Sequence, residues 1–261
     1  MPFQSRKPTS ARSRSSTSWQ PVTKWYDKLV GDQGQEYHER LILPELFKHL
    51  QLSEDDALLD VGCGQGILAR HISSTTKYVG VDASAGLISA AKKRDENRLH
   101  TYVLADATKP LKVKDNFSHA IFMLSLQNME NADQAIKNVA GKLRRNGKLI
   151  LVLNHPAFRI PRQSSWGVDE KNKTQYRRID RYRGFLKIPI TAHPGKKSSP
   201  VTWSYHYSLE QLSTFLHESG FVIEHLKELY SGRVSEGKAA KMENRARGEF
   251  PLFLMIIATK K

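Results

Sequence analysis

The residues best suited to chemistry cluster in Leu58-Leu59-Asp60-Val61-Gly62-Cys63-Gly64-Gln65-Gly66. A short apolar run that ends in a glycine-rich turn and opens a helix is the context of a nucleotide-binding loop. Glycine permits a tight turn and lets a ligand lie against bare backbone. The spacing narrows the ligand. A dinucleotide fingerprint would place glycines at 62, 64 and 67, but position 67 is Ile67. Two more acids end the next apolar runs. Asp82 follows Asp60 at about the distance of 20 residues where a carboxylate accepts hydrogen bonds from a ribose diol, and Asp106 sits in Leu104-Ala105-Asp106-Ala107. Carboxylates at successive strand ends suit a ribose, an adenine amine and a positive centre. They suit a pyrophosphate poorly, because nothing in the turn supplies positive charge.

With these residues the sequence resembles the class I S-adenosylmethionine-dependent methyltransferases, of the small-molecule, type 11-like kind. The resemblance spans about residues 55–154 and, more loosely, the C-terminal end. It implies a Rossmann-like, doubly wound, seven-stranded sheet with a terminal antiparallel hairpin, and S-adenosylmethionine as cofactor. It further implies that Asp60, Gly62, Cys63, Gly64 and Gly66 form the cofactor turn, with the glycines along the methionine part. Asp82 and Ala83 would bind the ribose, Asp106 and Ala107 the adenine, and Leu124 and Ser125 the sulfonium end. Asn146-Gly147-Lys148 stands where the family usually has Pro-Gly-Gly.

Methyl transfer from a sulfonium is an in-line displacement with a good leaving group, so alignment and exclusion of water matter most. A base is needed only when the acceptor must lose a proton. His155, directly after the fifth strand, and His206, between Tyr205 and Tyr207, are the candidate acceptor-site residues, set against a structural hydrogen bond for the first and a strand-edge position for the second. Tyr37 and His38 are placed to close over the cofactor or to pack a helix. Ser125-Leu126-Gln127-Asn128 is not the Asn/Asp-Pro-Pro-Tyr type of amide and base-amine methyltransferases. The sole cysteine, Cys63, lies in the turn and is a poor nucleophile for cytosine C5 chemistry.

Around these residues strands and helices alternate. Apolar runs predict strands over 57–61, 78–81, 102–104, 119–123 and 149–153, the last buried on both faces. Helices are expected to begin at 67–72, to run through 88–93, and to cover 132–143, closed by Arg144-Arg145-Asn146-Gly147 at the negative end of the helix dipole. Helical spacing over 25–52 breaks or restarts at Pro44. The alternation lapses over 155–207, read as a substrate cap inserted in a methyltransferase domain over 21–261. If that cap were helical, Arg177, Arg178 and Arg181 would share one face. It resumes with a helix from Leu209 and two strands, over 221–226 and 250–258, predicted to pair antiparallel.

Composition sets the remaining limits. The chain has 261 residues, 39% hydrophobic and 26% charged, and no run of about 18 apolar residues for a membrane span. One cysteine excludes an internal disulfide, and the ten histidines show no metal-ligand spacing. The net charge of +15 lies mainly in residues 1–24 and 157–200. Residues 1–20 are expected to form a disordered basic tail, open also to reading as an organellar transit peptide or a nucleic-acid arm. A cytoplasmic location is expected. The function expected is methyl transfer to a small-molecule acceptor. An RNA or ribosome-associated methyltransferase, with nucleic acid or an anionic partner on the tail and cap, is the nearest rival. A non-catalytic cofactor-binding protein comes next, and a nicotinamide oxidoreductase last.

Overall fold

The computed structural model describes residues 19–32, 34–195 and 198–261. The tail expected over 1–20 therefore lies outside the described residues, except for its end. That end is folded. Gln20 opens a 3-10 turn, Gln20–Val22, and its Oε1 accepts from Ser84 Oγ at 2.9 Å and Gly86 N at 3.2 Å. Helix α1, Thr23–Val30, follows, then one π turn, His38–Ile42, and α2, Leu43–Leu50. Pro44 falls in the first turn of α2, where a missing N–H leaves no helical bond unmade, so it restarts the helix.

The strands are β1 Ala57–Val61, β2 Lys77–Asp82, β3 His100–Leu104, β4 Phe117–Met123 and β5 Leu143–Asn154. Four more form the cap region: β6 Ser164–Asp169, β7 Thr174–Ile179, β8 Leu186–Thr191 and β9 Val201–His206. The last two are β10 Phe221–Leu229 and β11 Phe253–Lys260. Seven of them form one sheet in the order β10-β11-β5-β4-β1-β2-β3. β1 to β5 pair in parallel, and β11 pairs antiparallel with both β5 and β10.

Helices cover both faces: α3 Ala85–Arg94 beside α2, and α4 Ala132–Ala140 with α5 Leu209–Glu218 opposite. β5 shows why its apolar run is continuous. Ile150 and Val152 pack with Leu46, Leu58 and Ile121 on one face. Leu149, Leu151 and Leu153 pack with Ile136 and Leu212 on the other. Ser84 caps α3 by accepting from Leu87 N, and Ser208 forms a capping box with Gln211 on α5. The result is the expected Rossmann-like, doubly wound, seven-stranded sheet with a terminal antiparallel hairpin.

Four local expectations are corrected. Residues 67–72 make only a 3-10 turn, Ala69–His71, because Arg70 Nη1 bonds back to Gln65 O and Gly66 O and Ile67 and Leu68 bury without a helix. Helix α4 stops at Ala140, and Arg144 to Gly147 bulge out of β5, where the register jumps from Phe117↔Leu143 to His119↔Lys148. Arg144 pairs with Asp56 at 3.1 Å instead of capping a helix. The cap is two antiparallel hairpins, β6–β7 and β8–β9, so Arg177 and Arg178 are adjacent on a strand and point to opposite faces. Between the last two strands, where the antiparallel expectation took no helix to lie, residues 240–249 form α6, Ala240–Glu249, whose scarcity of apolar residues hid its period.

Candidate active site

The C-terminal ends of β1, β2, β4 and β5 open on one cavity of about 650 Å³. It lies where the strand order reverses between β1 and β4, the place where doubly wound sheets bind ligands. Gly62, Gly64, Asp82, Ala83, Asp106, Ala107, Leu124, Ser125 and Tyr37 all line it. Asp60, Cys63 and Gly66 stand behind the turn and do not reach the wall. His155 and His206 lie outside this cavity altogether.

The turn is built for close approach. Gly62 has φ +73°, and a Cβ there would sit 2.4 Å from Ser125 Cβ. Ser125 in turn donates its Oγ to Val61 O at 2.5 Å, stitching the ends of β4 and β1 together. Asp82 braces the turn from the next strand. Its Oδ2 accepts from Gly64 N at 3.0 Å and its Oδ1 from Ser84 N at 2.8 Å. Burial pushes the Asp82 carboxyl up, and these backbone bonds oppose the rise. Asp106 Oδ1 accepts from Thr108 N and Oγ1, with Lys109 at 3.5 Å from its Oδ2. A carboxylate has about four acceptor sites, so both acids retain lone pairs for a ligand. Beside Ser125, Leu124 ends β4 with φ +56°, an uncommon conformation for a leucine and one that clusters at binding sites.

Behind the turn, Asp60 accepts from Tyr78 Oη at 2.7 Å. Burial raises its carboxyl to about 7, with the Tyr78 bond opposing and Asp82 adding to the rise. The Cys63 thiol is likewise pushed well up by burial, which removes it as a nucleophile. Gly66 packs against the Tyr102 ring. The raised Asp60 carboxyl has a consequence for stability. Between an unfolded value near 4 and the folded value near 7, the folded state holds a proton that the unfolded state has lost. Stability therefore falls as pH rises through that window. Asp60→Asn removes the titration and keeps an acceptor for Tyr78, so relative to the parent it should gain roughly 2–4 kcal/mol between pH 4 and pH 8. Urea unfolding of both proteins at the two pH values measures this. A difference independent of pH would mean that Asp60 is ionised throughout.

Sequence reading missed the cover. Trp19 and Tyr26 line the cavity, with ring centroids 5.3 Å apart and edge to face. Tyr26 lies 3.5 Å from the position a Gly64 Cβ would take, and burial raises its hydroxyl pKa first, with Asp82 and Asp60 adding. Neither is marked by any spacing. His38 lines the cavity too. Its Nδ1 accepts from Gln35 N at 3.1 Å and burial lowers its pKa to about 4. The ring is therefore neutral at pH 7 with its proton on Nε2, and offers a donor. Gln127, Asn128, Glu130 and Asn154 complete the polar wall, and β8 and β9 contribute Ile190, Trp203, Ser204 and Tyr205. Glu130 is paired with Lys187 at 3.0 Å.

The two candidate histidines have structural duties. His155 Nδ1 accepts from Ala157 N and Phe158 N, and its Nε2 donates to Glu228 at 3.1 Å. His206 Nε2 donates to Tyr182 O at 2.5 Å. His155 thus ties the start of the cap to β10, His206 ties β9 to Tyr182 within the cap, and neither is among the residues that line the cavity. The cap arginines are partly engaged as well. Arg177 bonds to Phe158 O and Ser164 Oγ, and Arg178 to Asp180. Among the described residues no cluster of acids, histidines and cysteine could hold a metal ion, and no helix is long and apolar enough to cross a membrane.

Known proteins are similar to this chain in sequence or in fold. A family model described as a methyltransferase domain matches residues 59–151, from β1 into β5. An uncharacterized methyltransferase of Schizosaccharomyces pombe is 34% identical over 114 residues, 41% of this chain and 43% of its own length. The methyltransferase GfsG of Streptomyces halstedii is 31% identical over 136 residues, 49% of this chain and 48% of its own. The matched part thus spans less than half of the curated relatives. The crystal structure of an S-adenosylmethionine dependent methyltransferase of Mesorhizobium loti superposes with a TM-score of 0.63 at 23% identity, covering 83% of this chain and 96% of that one.

Proposed function

We propose, on the match of a methyltransferase-domain model to residues 59–151, that the chain is a class I S-adenosylmethionine-dependent methyltransferase that binds S-adenosylmethionine in this cavity and methylates a small-molecule acceptor. The observation that supports the reading best is the meeting, on one cavity wall, of a side-chain-free turn, two carboxylates with lone pairs to offer, and the left-handed Leu124. The donor set fits the cofactor. Asp82 and Ala83 would hold the ribose hydroxyls and Asp106 and Ala107 the adenine. Gly62 and Gly64 would lie along the methionine part, under Tyr26, with Leu124 and Ser125 beside the sulfonium. Asp60, Cys63 and Gly66 shape this turn from behind.

When bound, the cofactor supplies a methyl group on a sulfonium, open to displacement by a lone pair. The chain's own residues then have two tasks. Trp19 and Tyr26 cover the adenosyl side and exclude water. The cap, residues 155–207, closes the other side through Ile190, Trp203 and Tyr205. His38 offers a donor and Glu130 is held by Lys187, so the wall suits an acceptor whose lone pair is already free at pH 7, such as a weakly basic aromatic amine.

Calorimetric titration with S-adenosylhomocysteine and with NAD tests the cofactor reading. Saturable binding of the first and none of the second is expected. No binding of S-adenosylhomocysteine would overturn it. Binding without S-adenosylhomocysteine production, across a panel of small amines, phenols and acids, would turn the reading toward a non-catalytic binding protein.

A further inference from the structure

Arg159 is the charge on the cavity wall for which the fold supplies no partner. It follows β5 and is fixed through its backbone N, which donates to His155 O at 2.8 Å. Its guanidinium lies over the Phe253 ring, 4.7 Å from the centroid, and 5.7 Å from that of Tyr37. Nη1 is fully buried without a hydrogen-bond partner. No ion pair joins the side chain to any described residue. Burial lowers its pKa, Tyr37 opposes the lowering, and Arg177 nearby adds repulsion. The other charges on the wall are satisfied: Asp106 has Lys109, Glu130 has Lys187, and Asp82 has backbone N–H groups. Glu36, the acid next to Tyr37, is taken by Arg233.

A cation taken from water is costly unless an anion and hydrogen bonds replace its hydration. A residue that merely filled this space would be better as Met or Leu. An unpaired guanidinium with its faces against aromatic rings leaves its donor edge free, and that edge matches a carboxylate or phosphate in bidentate geometry. We propose that Arg159 is the specificity residue of the acceptor site and binds an oxyanion of the methyl acceptor. This rests on the cofactor reading above.

The topology argues for the acceptor over the cofactor's own carboxylate. Glycine turn, Asp82 and Asp106 stand on β1, β2 and the end of β3, and Leu124 and Ser125 follow β4. Arg159 packs on Phe253 of β11, which lies beyond β5 and two strands from β4. Along the sheet the adenosyl-side residues and the guanidinium thus fall on opposite sides of β4, which Leu124 follows, while all of them line the same cavity.

The test uses the full chain saturated with S-adenosylhomocysteine, titrated in a calorimeter with benzoate, phenyl phosphate and neutral benzamide. Benzoate or phenyl phosphate should bind at least tenfold tighter than benzamide, and the tighter of the two tells carboxylate from phosphate. Arg159→Met should weaken that anion at least tenfold and Arg159→Lys less. S-adenosylhomocysteine affinity should stay within twofold in both variants, which also shows that they fold. Several results overturn the proposal: equal binding of benzamide, no saturable binding of either anion, or anion binding unchanged in Arg159→Met. A tenfold loss of S-adenosylhomocysteine affinity in Arg159→Met would overturn it too, by placing the guanidinium on the cofactor's carboxylate. If S-adenosylhomocysteine fails to bind even the parent chain, it is the cofactor reading that fails.

Discussion

Gly62→Ala is expected to abolish adenosyl-ligand binding and to destabilise the fold by about 3–5 kcal/mol, the range of severe core disruptions. Two causes act together. Position 62 has φ +73°, where a Cβ meets the backbone, and the new methyl would sit 2.4 Å from Ser125 Cβ. Ser125 cannot swing aside without giving up its bond to Val61 O, which joins β4 to β1. The two causes separate in a double variant. In a Ser125→Gly background, which already lacks the Val61 bond, Gly62→Ala meets no clash and leaves only the backbone strain, so relative to the Ser125→Gly single variant it should cost about half as much. Thermal unfolding and S-adenosylhomocysteine calorimetry on the parent and the three variants provide the test. A single Gly62→Ala variant with parental stability would show that the turn opens freely there.

Asp82→Ala should weaken S-adenosylhomocysteine about a hundredfold, some 3 kcal/mol. The ribose alone would account for roughly 1.5–3 kcal/mol, as for a hydrogen bond to a charged group. The structure adds to that, because the same carboxylate receives Gly64 N and Ser84 N and so holds the turn and the α3 cap in place. Asp82→Asn keeps one acceptor oxygen and should fall between the two, near tenfold. The order Asp, Asn, Ala in affinity is the expected readout. Equal affinities in all three would remove Asp82 from the ligand site.

Much of the cofactor side was legible in the sequence because its signals are local. A turn dense in glycine, an acid at the end of each of the next two strands, and the doubly buried run at β5 each follow from a few neighbouring residues. The antiparallel β10–β11 pair was expected because no crossover helix is evident between the two runs; the pairing is antiparallel although the connection does hold α6. Failures came where tertiary contacts decide. Ile67 and Leu68 bury in a 3-10 turn held by Arg70, and Leu143 is drawn beside Phe117, which bulges the arginines out of β5. The cap showed no clean period because its short strands bury few apolar side chains, chiefly Leu186 and Ile188 with Ile160, and are otherwise mostly polar or aromatic. His155 and His206 looked reactive by position, yet every partner they have is structural. Arg159 carries no sequence signal at all. Its character is the absence of a counter-ion, which only folding reveals.

The two hairpins of the cap form sheets of their own and share no ladder with the seven strands beneath. Their ties to the body run through single side chains, such as Lys187 to Glu130 and Tyr207 to the Met129 and Glu130 carbonyls. Exchanging or remodelling that module would leave the strand pairing of the larger sheet intact. Such an arrangement separates what is held constant from what can diverge: descendants of this chain could acquire new chemistries of recognition by drift in some fifty residues while inheriting the donor half unaltered.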